Sequence, residues 1–166
     1  MKYNGLLQTF PKELKLFIGA FVIVLSIGYY TGLSFVRNTE SHHPQGIEEN
    51  YLGNEEEAEA LVMKFKKGKR EMLTIIHTHI LSMSFIFFLL GGILYFTRLN
   101  RSLKLFLMIE PFISLLLTFG GIYLLWTGIL WFKYIVMISG ILMTLSFSLA
   151  SLIILFQLFG RKAEVK

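Results

Sequence analysis

Cysteine and aspartate are both missing from this 166-residue chain. Without cysteine there are no disulfides, no thiolate metal sites, no Cys-x-x-Cys-His haem attachment and no cysteine nucleophile. Without aspartate there is no Ser-His-Asp triad and no aspartate-based metal loop, since all eleven acids are glutamates. Charge of either sign is scarce. Only 16% of residues are charged and 54% are hydrophobic, whereas a soluble domain is about a quarter charged. No Gly-rich phosphate loop follows a strand pattern and no HExxH occurs, which argues against a nucleotide site and metalloprotease chemistry.

What the chain has instead is long charge-free runs. Four segments are long enough to span about 30 Å of hydrocarbon at ~1.5 Å per residue. They lie at about 16–35, 72–97, 105–126 and 134–159. The first has a long apolar core with no A-x-A cleavage site after it, and reads as a retained anchor. The expected fold is all-α: one membrane domain over 1–166, a four-transmembrane-helix bundle with a structured extracytoplasmic loop at 37–71. Short connections make the later helices antiparallel neighbours.

The net charge of +5 does not point to nucleic acid, because most basic residues flank apolar runs, where they orient helices and meet anionic lipid. Lys2, Lys12 and Lys15 precede the first run, Arg98, Arg101 and Lys104 fill the connection between the second and third, and Arg161, Lys162 and Lys166 follow the fourth. The positive-inside rule then predicts that both termini are cytoplasmic. The segment "KFKKGKR" (Lys64–Arg70) runs against that pattern on the outer side, where the acids of "EENYLGNEEEAEA" offset it.

Tyr29, Tyr30, Tyr123, Trp126, Trp131 and Tyr134 fall near the outer ends of the runs and read as an interfacial aromatic belt. Gly91-Gly92 and Gly120-Gly121 suit close helix approach. In the fourth run Thr144, Ser148 and Ser151 share a helix face, with Ser139 nearby, and should hydrogen-bond across helices or to their own backbone. In the loop, "SHHPQG" (Ser41–Gly46) predicts a turn from its Pro and Gly. "NEEEAEALVMKF" predicts a short helix near Glu55–Lys64 with Asn54 as its N-cap.

The residues that can carry chemistry are few. His77 and His79 sit inside the second run, about 10 to 14 Å below an interface marked by Arg70. An ionisable residue at that depth is a functional candidate. Positions i and i+2 differ by about 200° around a helix, so the two rings point to nearly opposite faces. His42 and His43 lie in the outer loop, so all four imidazoles belong to the outer half. A b-type haem needs one or two axial imidazoles and an apolar slot. His77 or His79 can supply one, with His42 or His43 folding over as the second. A zinc or copper site of three imidazoles and a glutamate, with His77 and His79 as its membrane ligands, is the other candidate. The histidine count also admits a site completed across a homodimer. Glu110 is the one acid inside a span. It reads as an ion-pair partner of Arg101 or Lys104, or as a proton entry point.

"PQGIEENYLGNEE" through "MKFKKGKREMLTIIHTHILSMSFIFFLLGGILYFT" resembles an uncharacterised bacterial family of small four-helix inner-membrane proteins. The resemblance rests on a P-x-G-I…Y-x-G-N-E segment, an M-K-F-x-K-S-like segment and a T-H-x-H helix, over about residues 44–125. It implies a place in the bacterial inner membrane and association with respiratory or multihaem cytochrome systems. This sequence carries Thr118 where similar chains often carry an acid.

Two functions are expected from these readings. One is a redox-associated membrane subunit that binds haem b and passes electrons between the quinone pool and an outer-side partner. The other is a non-catalytic accessory or assembly subunit of a respiratory membrane complex, with histidines that bridge helices. In both, the partners are the lipid bilayer and other membrane or cytochrome subunits.

Overall fold

Within lipid each backbone N–H and C=O must find a partner inside its own segment, so charge-free runs become helices. The computed structural model describes residues 6–39, 41–55 and 62–160. Its helices are α1 (Lys12–Asn38), α2 (Pro44–Leu52), α3 (Lys69–Tyr95), α4 (Arg101–Trp126) and α5 (Phe132–Phe159), after a short 3-10 turn at Leu7–Thr9. Among the described residues there is no strand. Helices α1, α3, α4 and α5 are each long and apolar enough to cross a membrane. The protein is a four-span transmembrane helical bundle. Its helices begin earlier than the apolar runs do, because a helix of about 40 Å extends its polar end turns beyond ~30 Å of hydrocarbon.

Helices α4 and α5 form the central pair, with α3 packed on α4 and α1 on α5. Gly121 sets the α4–α5 approach: a Cβ there would lie 2.9 Å from Val136 Cγ2. Leu115, Leu125, Phe147 and Ile154 fill the seam and are fully buried. The Leu7 N–H donates to the Phe96 carbonyl at 2.8 Å. Gln157 accepts from the Arg98 N–H at 2.7 Å and donates back to the Arg98 carbonyl at 3.1 Å. These bonds bring the start of the described chain and the end of α5 to the α3–α4 connection. Helix α2 lies at the opposite end of the bundle.

The α2 end is built differently from the sequence expectation. In "SHHPQG" the expected turn covers Ser41–His43, and Pro44–Gly46 already begin α2. Pro44 occupies the first turn of the helix, and His43 caps it by accepting from the Gly46 N–H at 2.9 Å. Proline's fixed φ suits a first helical position as well as it suits a turn, so the same residue signals both. The helix expected over Glu55–Lys64 falls largely on residues 56–61, which lie outside the described residues, while Glu55 and residues 62–64 are not helical. Asn54 acts as a clasp rather than a helix cap: its Oδ1 accepts from the Lys64 N–H at 2.7 Å and its Nδ2 donates to the Val62 carbonyl at 3.0 Å. The Lys133 ammonium meets Glu48 at 2.6 Å and ties α5 to α2. Trp126 Nε1 donates to the Lys67 carbonyl at 2.8 Å and ties α4 to the loop. Burial pushes the Tyr51 hydroxyl up to about 12, against a smaller lowering from its hydrogen bond with Asn50.

Candidate functional site

Two places in the bundle carry polar side chains that the bilayer penalises. The first is the half of α3 nearest α2. Helix α3 buries Met72, Phe87, Leu90, Gly91 and Leu94 against its neighbours. Thr74, His77, Thr78 and Ser82 are left uncovered by protein. His79 lies at the edge of the packed face. Its ring stacks on Phe119 of α4 at 4.7 Å, and its Nδ1 is 2.7 Å from the Ile75 carbonyl. A carbonyl accepts only, so Nδ1 carries the proton and Nε2 keeps its lone pair. Binding through Nδ1–H to a backbone carbonyl is how proteins orient an imidazole for ligation through its other nitrogen. His77 is exposed and has no hydrogen-bond partner among the described residues.

The loop histidines are arranged for another task. His42 and His43 meet edge to face at 5.0 Å. His43 spends its Nδ1 lone pair on the Gly46 N–H, which puts the ring proton on Nε2 in the neutral form. In this conformation His43 is a helix cap with no nitrogen free for a metal. Among the described residues no three histidine or glutamate side chains converge into a metal-holding group.

The second place is inside the bundle. Glu110, Ser114 and Thr118 repeat every four residues along α4 and are all buried. Ser114 Oγ donates to Glu110 Oε1. Thr118 and Ser139 of α5 share a hydrogen bond of 2.7 Å, and Ser139 also reaches the Ile135 carbonyl at 2.7 Å. Tyr29 of α1 meets Thr144 Oγ1 at 3.2 Å, and Tyr30 meets Ser148 Oγ at 2.7 Å. On the hydroxyl face expected on the fourth span, Thr144 and Ser148 therefore do bond across helices, while the buried Ser151 hydroxyl has no partner among the described residues. The partners are Tyr29 and Tyr30, which the sequence suggested as interfacial belt residues. Tyr29 is half-buried in the α1–α5 interface and Tyr30 lies at its exposed edge. Thr144 is 12 residues into the 28-residue α5, so Tyr29 meets it about 18 Å from the α2 end of that helix. For these two residues the belt expectation gives way because α1 packs this face on α5, which offers both hydroxyls partners there.

Glu110 also departs from expectation. It makes no ion pair with Arg101 or Lys104. Lys104 instead donates to the Tyr95 and Thr97 carbonyls at 2.9 and 2.7 Å, closing the end of α3. Glu110 lies about 13.5 Å along α4 from Arg101, beyond easy reach of either base.

The family model of a transmembrane helical domain, Aq_1264_TM, matches residues 41–165. The chain belongs to this family. No curated protein and no solved structure matches it. The Aq_1264_TM match takes in α2 to α5, and so all four histidines, Glu110 and the hydroxyls of α4 and α5. Tyr29 and Tyr30 come from α1, which precedes the matched stretch.

Proposed function

We propose that this membrane protein is a redox subunit of the bacterial inner membrane in which His79 offers an axial imidazole to a b-type haem. The observation that carries the reading is the set of His79 Nδ1 on the Ile75 carbonyl. With the ring backed by Phe119, this fixes the tautomer and leaves Nε2 free on a surface that protein does not cover. An imidazole facing lipid is costly, and a cofactor at Nε2 removes that cost. Bound haem would supply reversible one-electron chemistry. The protein's part is to orient the ligand and to provide the apolar wall of α3 and α4. Positive-inside reasoning puts the site in the half of the membrane away from the cytoplasm, between the quinone pool and an outer-side electron partner.

The test is the visible spectrum of the full-length protein, purified in detergent from haem-replete cells, oxidised and dithionite-reduced. The expected result is a Soret band and a sharp reduced α-band in the wild type and in His77→Ala, lost in His79→Ala. A colourless, folded wild type overturns the haem reading.

A second reading has its own observation. Thr74, His77, Thr78 and Ser82 form an exposed polar arc on α3, a face that suits a neighbouring membrane helix better than acyl chains. That arc supports an accessory or assembly subunit of a respiratory complex. Detergent-stable co-purification with larger membrane subunits, lost when Thr78 and Ser82 are changed together to Leu, is the outcome this reading expects.

A further inference from the structure

A carboxyl buried among membrane helices without a cation beside it is the least explained group in the molecule. Glu110 is 8% exposed. Its Oε1 accepts from Ser114, one turn along its own helix, and its Oε2 has no partner. No lysine or arginine occurs within residues 16–36, 72–97, 105–126 or 134–159, so no span offers a countercharge. The ion pairs among the described residues all lie near the α2 end. Leaving a carboxyl oxygen buried with neither donor nor cation is costly, and proteins that keep such a group inside a membrane use it.

Its surroundings are arranged on one side. Pro111 follows Glu110 inside α4, and proline has no N–H to give to the carbonyl four residues earlier. The Leu107 carbonyl is thereby left without its usual helical partner, one turn from Glu110 toward the α3–α4 connection. In the other direction Ser114, Thr118 and Ser139 continue a row of hydroxyls along the α4–α5 seam. From α1, the Tyr29 hydroxyl enters the bundle at Thr144 of α5. Tyr29 is the titratable group that α1 brings to this level. Residues 80–94 of α3 and 135–157 of α5 contain no titratable side chain at all.

We propose that Glu110 is a proton-exchange site within the membrane, loaded and emptied from the side of the α3–α4 connection. A proton arriving on Oε2 converts an acceptor without a partner into a donor, and the freed carbonyl of α4 lies within a turn to receive it. Oε1 keeps its bond from Ser114 in both states. On release the proton returns by the same short route, about 13.5 Å along α4 to its first residue, because the hydroxyl row ends against the buried Ile122 and Leu125. The site therefore takes up and returns a proton at one face and does not conduct across the bilayer. It stands on observations separate from those for His79, so either can fail alone.

The test is infrared difference spectroscopy on the full-length protein in liposomes, titrated from mildly acidic to mildly alkaline pH in H2O and in D2O. The expected result is a protonated-carboxyl C=O band that shifts in D2O, is replaced by carboxylate bands as pH rises, and is absent in Glu110→Gln. A band that neither pH nor D2O moves would make Glu110 a closed structural hydrogen bond and overturn the proposal. A carboxylate signature at every pH would also overturn it. So would a pH response abolished by sodium at constant ionic strength, which would mark a metal-cation site. Should Glu110→Gln fail to fold, Ser114→Ala serves instead. It must shift the band by removing its donor, and a band it leaves unmoved belongs to another carboxyl and counts against the proposal.

Discussion

Tyr29 lies flat on Phe147, ring centroids 3.9 Å apart and planes 7° from parallel, while its hydroxyl bonds Thr144. Helix α1 touches the bundle mainly through α5, held there by this stack and the adjacent Tyr30–Ser148 bond and by the buried Ile18, Gly19 and Val22. Tyr29→Phe keeps the stack and gives up one interhelical hydrogen bond, a loss of about 0.6 kcal/mol. Tyr29→Ala gives up the ring as well and should cost roughly 3 kcal/mol. Thermal unfolding in detergent separates the two. Equal losses in both variants would show that the hydroxyl, not the stack, holds α1.

His43 is a cap in this structure, and its substitution should read as a capping loss. His43→Ala removes the acceptor for the Gly46 N–H and should weaken α2 by about 1 kcal/mol. His43→Asn restores an N-cap acceptor and most of the stability. Amide hydrogen exchange over residues 46–52 is the measurement. If haem is present, its reduced spectrum should survive both variants, because the His79 Nε2 is untouched.

Gly53 holds the α2 end shut through its backbone. Its φ is +85°, and a Cβ there would lie 2.8 Å from the Lys64 carbonyl oxygen and 2.8 Å from the Lys66 nitrogen. Gly53→Ala therefore meets both an unfavourable conformation and a collision with backbone that cannot rotate away. The expected cost exceeds about 1 kcal/mol. Protease sensitivity after Leu52 should rise, while the helical circular dichroism of the spans stays unchanged.

The spans were legible in the sequence because a membrane permits few alternatives: charge-free runs of this length cross it as helices. The hydroxyl face of Thr144 and Ser148 was legible for a related reason, since helical spacing fixes which side chains share a face. What the sequence hid were the partners. Nothing local says that Tyr29 and Tyr30 bond α5 rather than headgroups, because that depends on which helix α1 packs against. Pro44 hid the start of α2 because proline marks a turn and a helix start alike. The acids expected to offset "KFKKGKR" do so in part, as Lys64 pairs with Glu49 and Lys67 with Glu71, though the sequence did not say which acid meets which lysine. Lys66 lies over the Trp126 ring at 5.5 Å. The sequence placed the four histidines in one half of the chain but hid their separate settings: His43 caps α2 through Nδ1 and His79 holds its own helix through Nδ1. The orphaned oxygen of Glu110 could be seen only once the positions of Lys104 and Ser114 were known.

Tyr51 gives the α2 end a pH limit. Its hydroxyl ionises at about 12 in the folded protein against 10.0 for an unperturbed tyrosine, chiefly through burial. The folded state then holds a proton that the unfolded state has lost between those two values. The stability this contributes is fully present below about pH 10 and is lost as pH rises toward about 12. Burying tyrosinate beneath α2 is the physical cost, so the cap opens before the spans do. Tyr51→Phe cannot ionise and should flatten the decline, at the expense of the Asn50 hydrogen bond at neutral pH. The check is a tyrosinate absorbance titration of wild type and Tyr51→Phe, run beside hydrogen exchange over residues 44–55. A cap that loosens equally in both proteins across that range would mean that another group sets the limit.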